Sequence, residues 1–121
     1  VKPKQFSTEE AKMVYTPEMW VILEIKGGDP HYGVLAGWSG GYLDGDSWRM
    51  NSGITRHEFD GDYWYFYGSS GSCYKCYVDS YRMNMITGGI YSQLRERHEG
   101  KVRLLEDQEW IKEDWDWIIG E

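Results

Sequence analysis

The sequence holds only two cysteines, Cys73 and Cys76, and each familiar use of such a pair needs something else the chain lacks. A tetrahedral zinc site takes four ligands, yet there is no second C-x-x-C pair, and His31, His57 and His98 are scattered. A thioredoxin-like redox pair opens a helix, whereas Cys73 and Cys76 fall in a stretch of strand character. On a strand their odd separation turns the two side chains to opposite faces. Two reduced thiols and no metal are therefore expected. Long apolar runs are also missing: 40% of residues are hydrophobic, but nothing approaches the roughly 20 consecutive apolar residues of a membrane helix. The opening VKPKQFSTEE has no apolar segment of the kind that directs secretion, so a cytoplasmic protein without a membrane partner is expected. Basic charge is in short supply. Twenty acids face 13 bases, and a net charge of -7 argues against nonspecific binding to nucleic acid.

Catalytic and phosphate-binding signatures are missing as well. GSSGSCYKCY, residues 68–77, has the glycines of a phosphate loop, but its only lysine, Lys75, does not follow the second glycine at the required spacing. Asp44-x-Asp46 and Asp60-x-Asp62 do not extend to the alternating oxygen ligands and closing glutamate of a calcium loop, and read as turn acids. No G-x-S-x-G elbow or H-E-x-x-H helix is present, which leaves no catalytic residue to name and no cofactor to assign. A non-enzymatic protein is expected.

What the chain has in excess is aromatic side chains: seven Trp, ten Tyr and three Phe, 17% of 121 residues. Twenty rings exceed what one small core usually buries, so several are expected to line a cleft or a contact surface. The length is that of one domain, 1–121. Ser7-Thr8-Glu9-Glu10 fits a capping box and predicts a short helix up to Tyr15, stopped by Pro17. MWVILEIK, residues 19–26, has the composition of a strand, and residues 32–38 supply its hairpin partner. The glycine-rich WSGGYLDGDSW, 38–48, reads as a shaped loop, followed by a short strand at 48–51. Gly53 reads as a turn or bulge before a strand at 54–59, and Asp60-Gly61 predicts a tight hairpin returning through 63–67. A further strand covers 73–79. Ile90, Tyr91 and Leu94 recur at helical spacing and predict a helix over 88–98, closed by Gly100. KVRLLE, 101–106, fits a strand or a lead into a last helix at 108–119, where Ile111, Trp115 and Ile118 share a face. These elements make an α+β domain: a mostly antiparallel, meandering sheet with a short N-terminal helix and two C-terminal helical segments.

One set of residue types suits a nucleotide-derived ligand. Trp38, Trp48, Tyr67 and Tyr74 offer rings for stacking on a base. Asn51, Ser52, Ser69 and Ser70 offer amides and hydroxyls for base or sugar edges, and Arg49, Lys75 and Arg82 offer cations for phosphate. Ser69, Ser70 and Ser72 with neighbouring N–H groups form a candidate wall of an anion pocket. An alternative partner is a basic protein docking on the C-terminal stretch, where Trp110 and Trp117 alternate with Glu113 and Asp114 in a combination fit for interface anchors or nucleic-acid mimicry.

Two stretches, LAGWSGGYLDGDSWRMNSGI at 35–54 and FYGSSGSCYKCYVDSYRM at 66–83, resemble small proteins encoded by tailed bacteriophages. The resemblance implies phage origin and action in the host bacterial cytoplasm, and brings no catalytic residues with it. It implies either sequestration of a small nucleotide signal of host defence or inhibition of a host protein. For the ligand-sequestering reading a homo-oligomer is expected.

Overall fold

The computed structural model describes residues 13–26, 30–41 and 45–112. Within them the backbone forms eight strands, one helix and a 3-10 turn, which makes the fold mostly β. Strands β1 (Met13–Tyr15), β2 (Met19–Ile25), β3 (His31–Gly41) and β4 (Gly45–Met50) precede β5 (Ile54–Phe59), β6 (Tyr63–Gly68) and β7 (Ser72–Tyr77). Helix α1 (Met85–Arg97), strand β8 (Val102–Leu104) and the 3-10 turn Glu109–Lys112 complete the order. The strands form two four-stranded sheets, β1-β7-β6-β5 and β4-β3-β2-β8. Every pairing is antiparallel except β1 with β7.

The inner faces of the two sheets meet over one ring-rich core. Trp20 and Ile22 from β2 and Tyr32, Val34 and Ala36 from β3 pack against Trp64 and Phe66 from β6 and Tyr74 and Cys76 from β7. Trp110 enters this layer from the 3-10 turn, fully buried, with Trp20, Trp64, Phe66 and Tyr81 around it at ring separations of 5.3–5.7 Å. The unbroken apolar content of β2 follows from burial on both sides. Its alternate residues Val21, Leu23 and Ile25 lie on the outer face, under Ile90, Tyr91 and Leu94 of α1. Asn84 caps that helix: its side chain accepts from the Thr87 backbone N–H, and the Thr87 hydroxyl accepts from the Asn84 N–H.

Tyr81 joins the sheets to the C-terminal segment. Its hydroxyl donates to the Leu105 carbonyl at 2.6 Å and accepts from the Ile22 N–H at 3.1 Å, while the Leu105 N–H donates back to Ile22.

The α+β expectation is overturned at three places. Residues 13–15, assigned to an N-terminal helix, form β1 and pair with Ser72–Tyr74; pairing with the edge of β7 outweighs local helical preference there. The capping box at 7–10 lies outside the described residues. At the other end, KVRLLE resolves into β8 on the edge of β2, and the expected terminal helix is a 3-10 turn over Glu109–Lys112, with 113–121 outside the described residues. Glu109 shapes that turn by accepting from the Glu106 N–H and pairing with Arg103. Nor is there one meandering sheet. The chain changes sheets between β4 and β5, where Gly53 takes φ 143°, a conformation that L side chains rarely adopt. The stretch taken for a loop at 38–48 is instead the end of β3 and the start of β4, with a register irregularity between Trp38 and Gly41. Residues 42–44 lie outside the described residues. The helix expected at 88–98 runs from Met85 to Arg97.

Candidate functional site

The residues singled out for ligand binding separate into distinct places on the sandwich. Trp38, Arg49 and Tyr74 come together at one margin, around Tyr15 of β1. The Tyr15 ring lies 5.1 Å from Tyr74 and 6.4 Å from Trp38, and the Arg49 guanidinium carbon stands 4.4 Å over it. Pairing explains the meeting: Arg49 sits opposite Ala36 on the core-facing side of β4, and Tyr15 sits beside Tyr74 across the β1–β7 ladder. The Trp38 indole N–H donates to the Thr16 carbonyl at 3.0 Å and fixes the ring against β1. Tyr74 is buried, Tyr15 and Trp38 are half-buried, and Arg49 is exposed. Burial pushes the Tyr74 hydroxyl up to about 12, against the opposing pull of Arg49. Tyr15 escaped the sequence reading because it fell inside the expected N-terminal helix.

Asn51, Ser52, Ser69 and Ser70 also meet, but mainly to hold two loops to each other. The Ser52 and Ser69 hydroxyls are 2.9 Å apart, and the Ser70 N–H donates to the Ser52 hydroxyl. The Ser69 N–H donates to Gly53 and the Gly71 N–H to Gly68. These N–H donors, on the exposed Ser69 and Ser70 and the half-buried Gly71, are taken up within the two loops themselves. Asn51 is buried and accepts from the Val34 N–H, while its amide nitrogen has no partner.

Tyr67 and Lys75 lie elsewhere, on the outer face of the β1-β7-β6-β5 sheet. Tyr63, Tyr65 and Tyr67 alternate outward there with Trp64 and Phe66 inward. Arg56 lies 3.7 Å over Tyr67 and pairs with Glu58 at 2.7 Å, and Lys75 stands 4.5 Å over Tyr63. The Tyr67 hydroxyl donates to Glu58 and the Tyr65 hydroxyl to Asp60. Burial and the Asp60 carboxylate push Tyr65 up to about 12. This face is closed by its own cations and acids.

The remaining two candidates stand apart. Trp48 is 45% exposed on the outer side of β4. Arg82 is exposed and helps, after the Ser39 N–H and hydroxyl, to hold the Glu18 carboxyl below its usual range.

No family model, curated protein or solved structure matches this chain. The site therefore rests on its own geometry. Glu24, Lys26, Gly100, Lys101 and Arg103 line an open cavity of about 310 Å3 at the β2–β8 edge, away from every residue expected to bind ligand. Among the described residues, no three His, Cys, Asp or Glu side chains gather as metal ligands, and no helix is long and apolar enough to cross a membrane. Cys73 and Cys76 are free and buried on opposite faces of β7. Burial pushes the Cys73 thiol up to about 11 and Cys76 well above its ordinary value, which keeps both in the unreactive thiol form. Trp110, the expected interface anchor, is fully buried in the core and presents no surface to a partner. Its companions Glu113, Asp114 and Trp117 lie outside the described residues.

Proposed function

We propose that the chain is a non-enzymatic binding protein that holds a small nucleotide-derived ligand at the margin built from Tyr15, Trp38, Arg49 and Tyr74. The observation that carries the reading is the Arg49 guanidinium over the half-buried Tyr15 ring, beside a second half-buried ring, Trp38. Aromatic faces stack on any base, and an exposed arginine beside them pairs with a phosphate through two parallel N–H donors. The reading is narrower than the sequence suggested. Ser52, Ser69, Ser70, Tyr67 and Lys75 drop out of the site, because their polar groups are engaged with each other or lie on another face. In the setting implied by the phage resemblance, the ligand is a nucleotide signal of host defence, removed by binding rather than turnover.

Thermal-shift and calorimetric titrations against mono-, cyclic and ADP-ribose nucleotides test this. The expected result is saturable stabilisation by at least one of them, weakened tenfold or more in Arg49→Ala and Trp38→Ala proteins with unchanged circular dichroism. No stabilisation by any nucleotide, or equal binding by both variants, overturns it.

A further inference from the structure

Four strands end the two sheets, and three of them are protected against pairing with another chain. β8 is three residues long, and β1 is described over the three residues Met13–Tyr15. β5 has six residues but carries the Arg56–Glu58 pair and a register shift between Ile54 and Arg56. Short length, charge and bulges are the usual means of blunting a sheet edge. β4 differs. Its irregularity is confined to the Gly41–Gly45 end, residues 47–50 run in regular register with β3, and its one cation, Arg49, turns inward over Tyr15. The large side chain it presents outward is Trp48, and among the described residues nothing pairs with its outer edge.

An apolar patch continues from that edge. Trp48 sits opposite Gly37, and Thr87 lies directly over Gly37, with its methyl 2.9 Å from where a Cβ would stand. The first turn of α1 is therefore Trp48's neighbour on the same outer face. That turn carries Met85, 89% exposed, and Ile86, 39% exposed. Together the three side chains expose on the order of 400 Å2, roughly half of the ~800 Å2 that a standard interface takes from each partner.

We infer that β4 and the first turn of α1 form a self-association surface whose occupant is a second copy of this chain. Two identical edge strands pair antiparallel about a two-fold axis, which satisfies the same backbone groups on both copies and closes the assembly at two. The β4-β3-β2-β8 sheet then continues into its partner as eight strands, with both α1 helices on one face. Each Trp48 and first-turn pair is covered near the axis. On the outer face of the other sheet Tyr65 and Tyr67 already donate to Asp60 and Glu58, and Tyr67 and Tyr63 lie under Arg56 and Lys75, which leaves Val14 and Tyr77 as its exposed large side chains. The inference does not depend on the ligand reading.

Light scattering after size exclusion, at tens of micromolar protein, is expected to give twice the 14.2 kDa of one chain. Trp48→Lys and Met85→Lys are each expected to return the single-chain mass with unchanged far-ultraviolet circular dichroism. Met85 is so exposed that its substitution spares the fold even where Trp48→Lys does not. Ile111→Lys, at another exposed apolar position, is expected to leave the dimer intact. A cysteine introduced as Ser47→Cys is expected to link two chains on oxidation. A wild-type chain of single mass, or a dimer that survives Met85→Lys and gives no Ser47→Cys cross-link, overturns the inference.

Discussion

Replacing Tyr81 with phenylalanine isolates a single oxygen atom that ties three segments together. The ring would stay in place, packed at 4.9 Å from Trp20 and 5.3 Å from Trp110, so the loss is confined to the hydroxyl. That hydroxyl donates to the Leu105 carbonyl and accepts from the Ile22 N–H. Ile22 and Leu105 are both fully buried, so water does not readily take over either role. Each buried backbone group left without a partner costs about 1–3 kcal/mol, and the Leu105 N–H bond to Ile22 keeps the segment docked. A net loss of about 2–4 kcal/mol is expected for Tyr81→Phe, or about 1–2 M in the urea midpoint at unchanged m-value. Equilibrium urea unfolding followed by tryptophan fluorescence measures it. Tyr77→Phe, at an exposed position of β7, serves as the control and is expected to cost under ~0.5 kcal/mol. A Tyr81→Phe loss no larger than the control would refute the assignment of the hydroxyl as the clamp.

Other perturbations follow from the same structure. Trp110→Ala empties the centre of the ring cluster and is expected to cost about 3–5 kcal/mol by the same assay; a small loss would mean that the indole is not in the core. Gly53→Ala has room for its methyl, with the nearest atoms 3.9 Å away, but forces a side chain to φ 143°, and is expected to cost about 1–3 kcal/mol from strain. Burial holds the His57 imidazole below its ordinary range, so the unfolded chain binds that proton first as pH falls. Its contribution is therefore complete above the unfolded pKa of about 6.5 and declines below it, and His57→Leu should flatten the fall in urea midpoint between neutral and mildly acidic pH. The thiols have the opposite sign: both are raised, so the folded state retains protons that the unfolded state releases, and stability falls as pH rises beyond about 8.5. A thiol reagent at neutral pH should label neither cysteine until the protein unfolds, and rapid native labelling of either would contradict its burial.

How far the sequence could be read depended on whether local pattern or distant pairing decided each element. The helix at Met85–Arg97 was legible from Ile90, Tyr91 and Leu94, whose spacing is a local feature, but its start was expected three residues late and its Asn84 cap was missed. β6 was legible because its rings alternate and Asp60-Gly61 sets the turn, where Asp60 accepts from the Asp62 and Tyr63 N–H groups. β1 was not legible. Three residues carry no period, and their strand form comes from Ser72–Tyr74, nearly sixty positions away in the chain. The same gap hid Tyr15 from the candidate site, while Trp38, Arg49 and Tyr74 were picked out by type. The serines show the limit in a different way. Hydroxyls and N–H groups that suit an anion also suit each other, and only the approach of Ser52 to Ser69 shows which partner they have.

The sequence by itself determined the residue types available: an acidic, ring-rich chain with two cysteines at C-x-x-C spacing, no second such pair and three scattered histidines. Rings on both faces of residues 63–67 also required that strand to lie centrally or to line a pocket with one face. Tertiary structure alone decided that the strands divide into two sheets, that Trp110 closes the core instead of facing a partner, and that a tyrosine, a tryptophan and an arginine from three strands meet at one margin. The physical reason is that burial acts on surface from any part of the chain, while the period of a sequence records only what its immediate neighbours share.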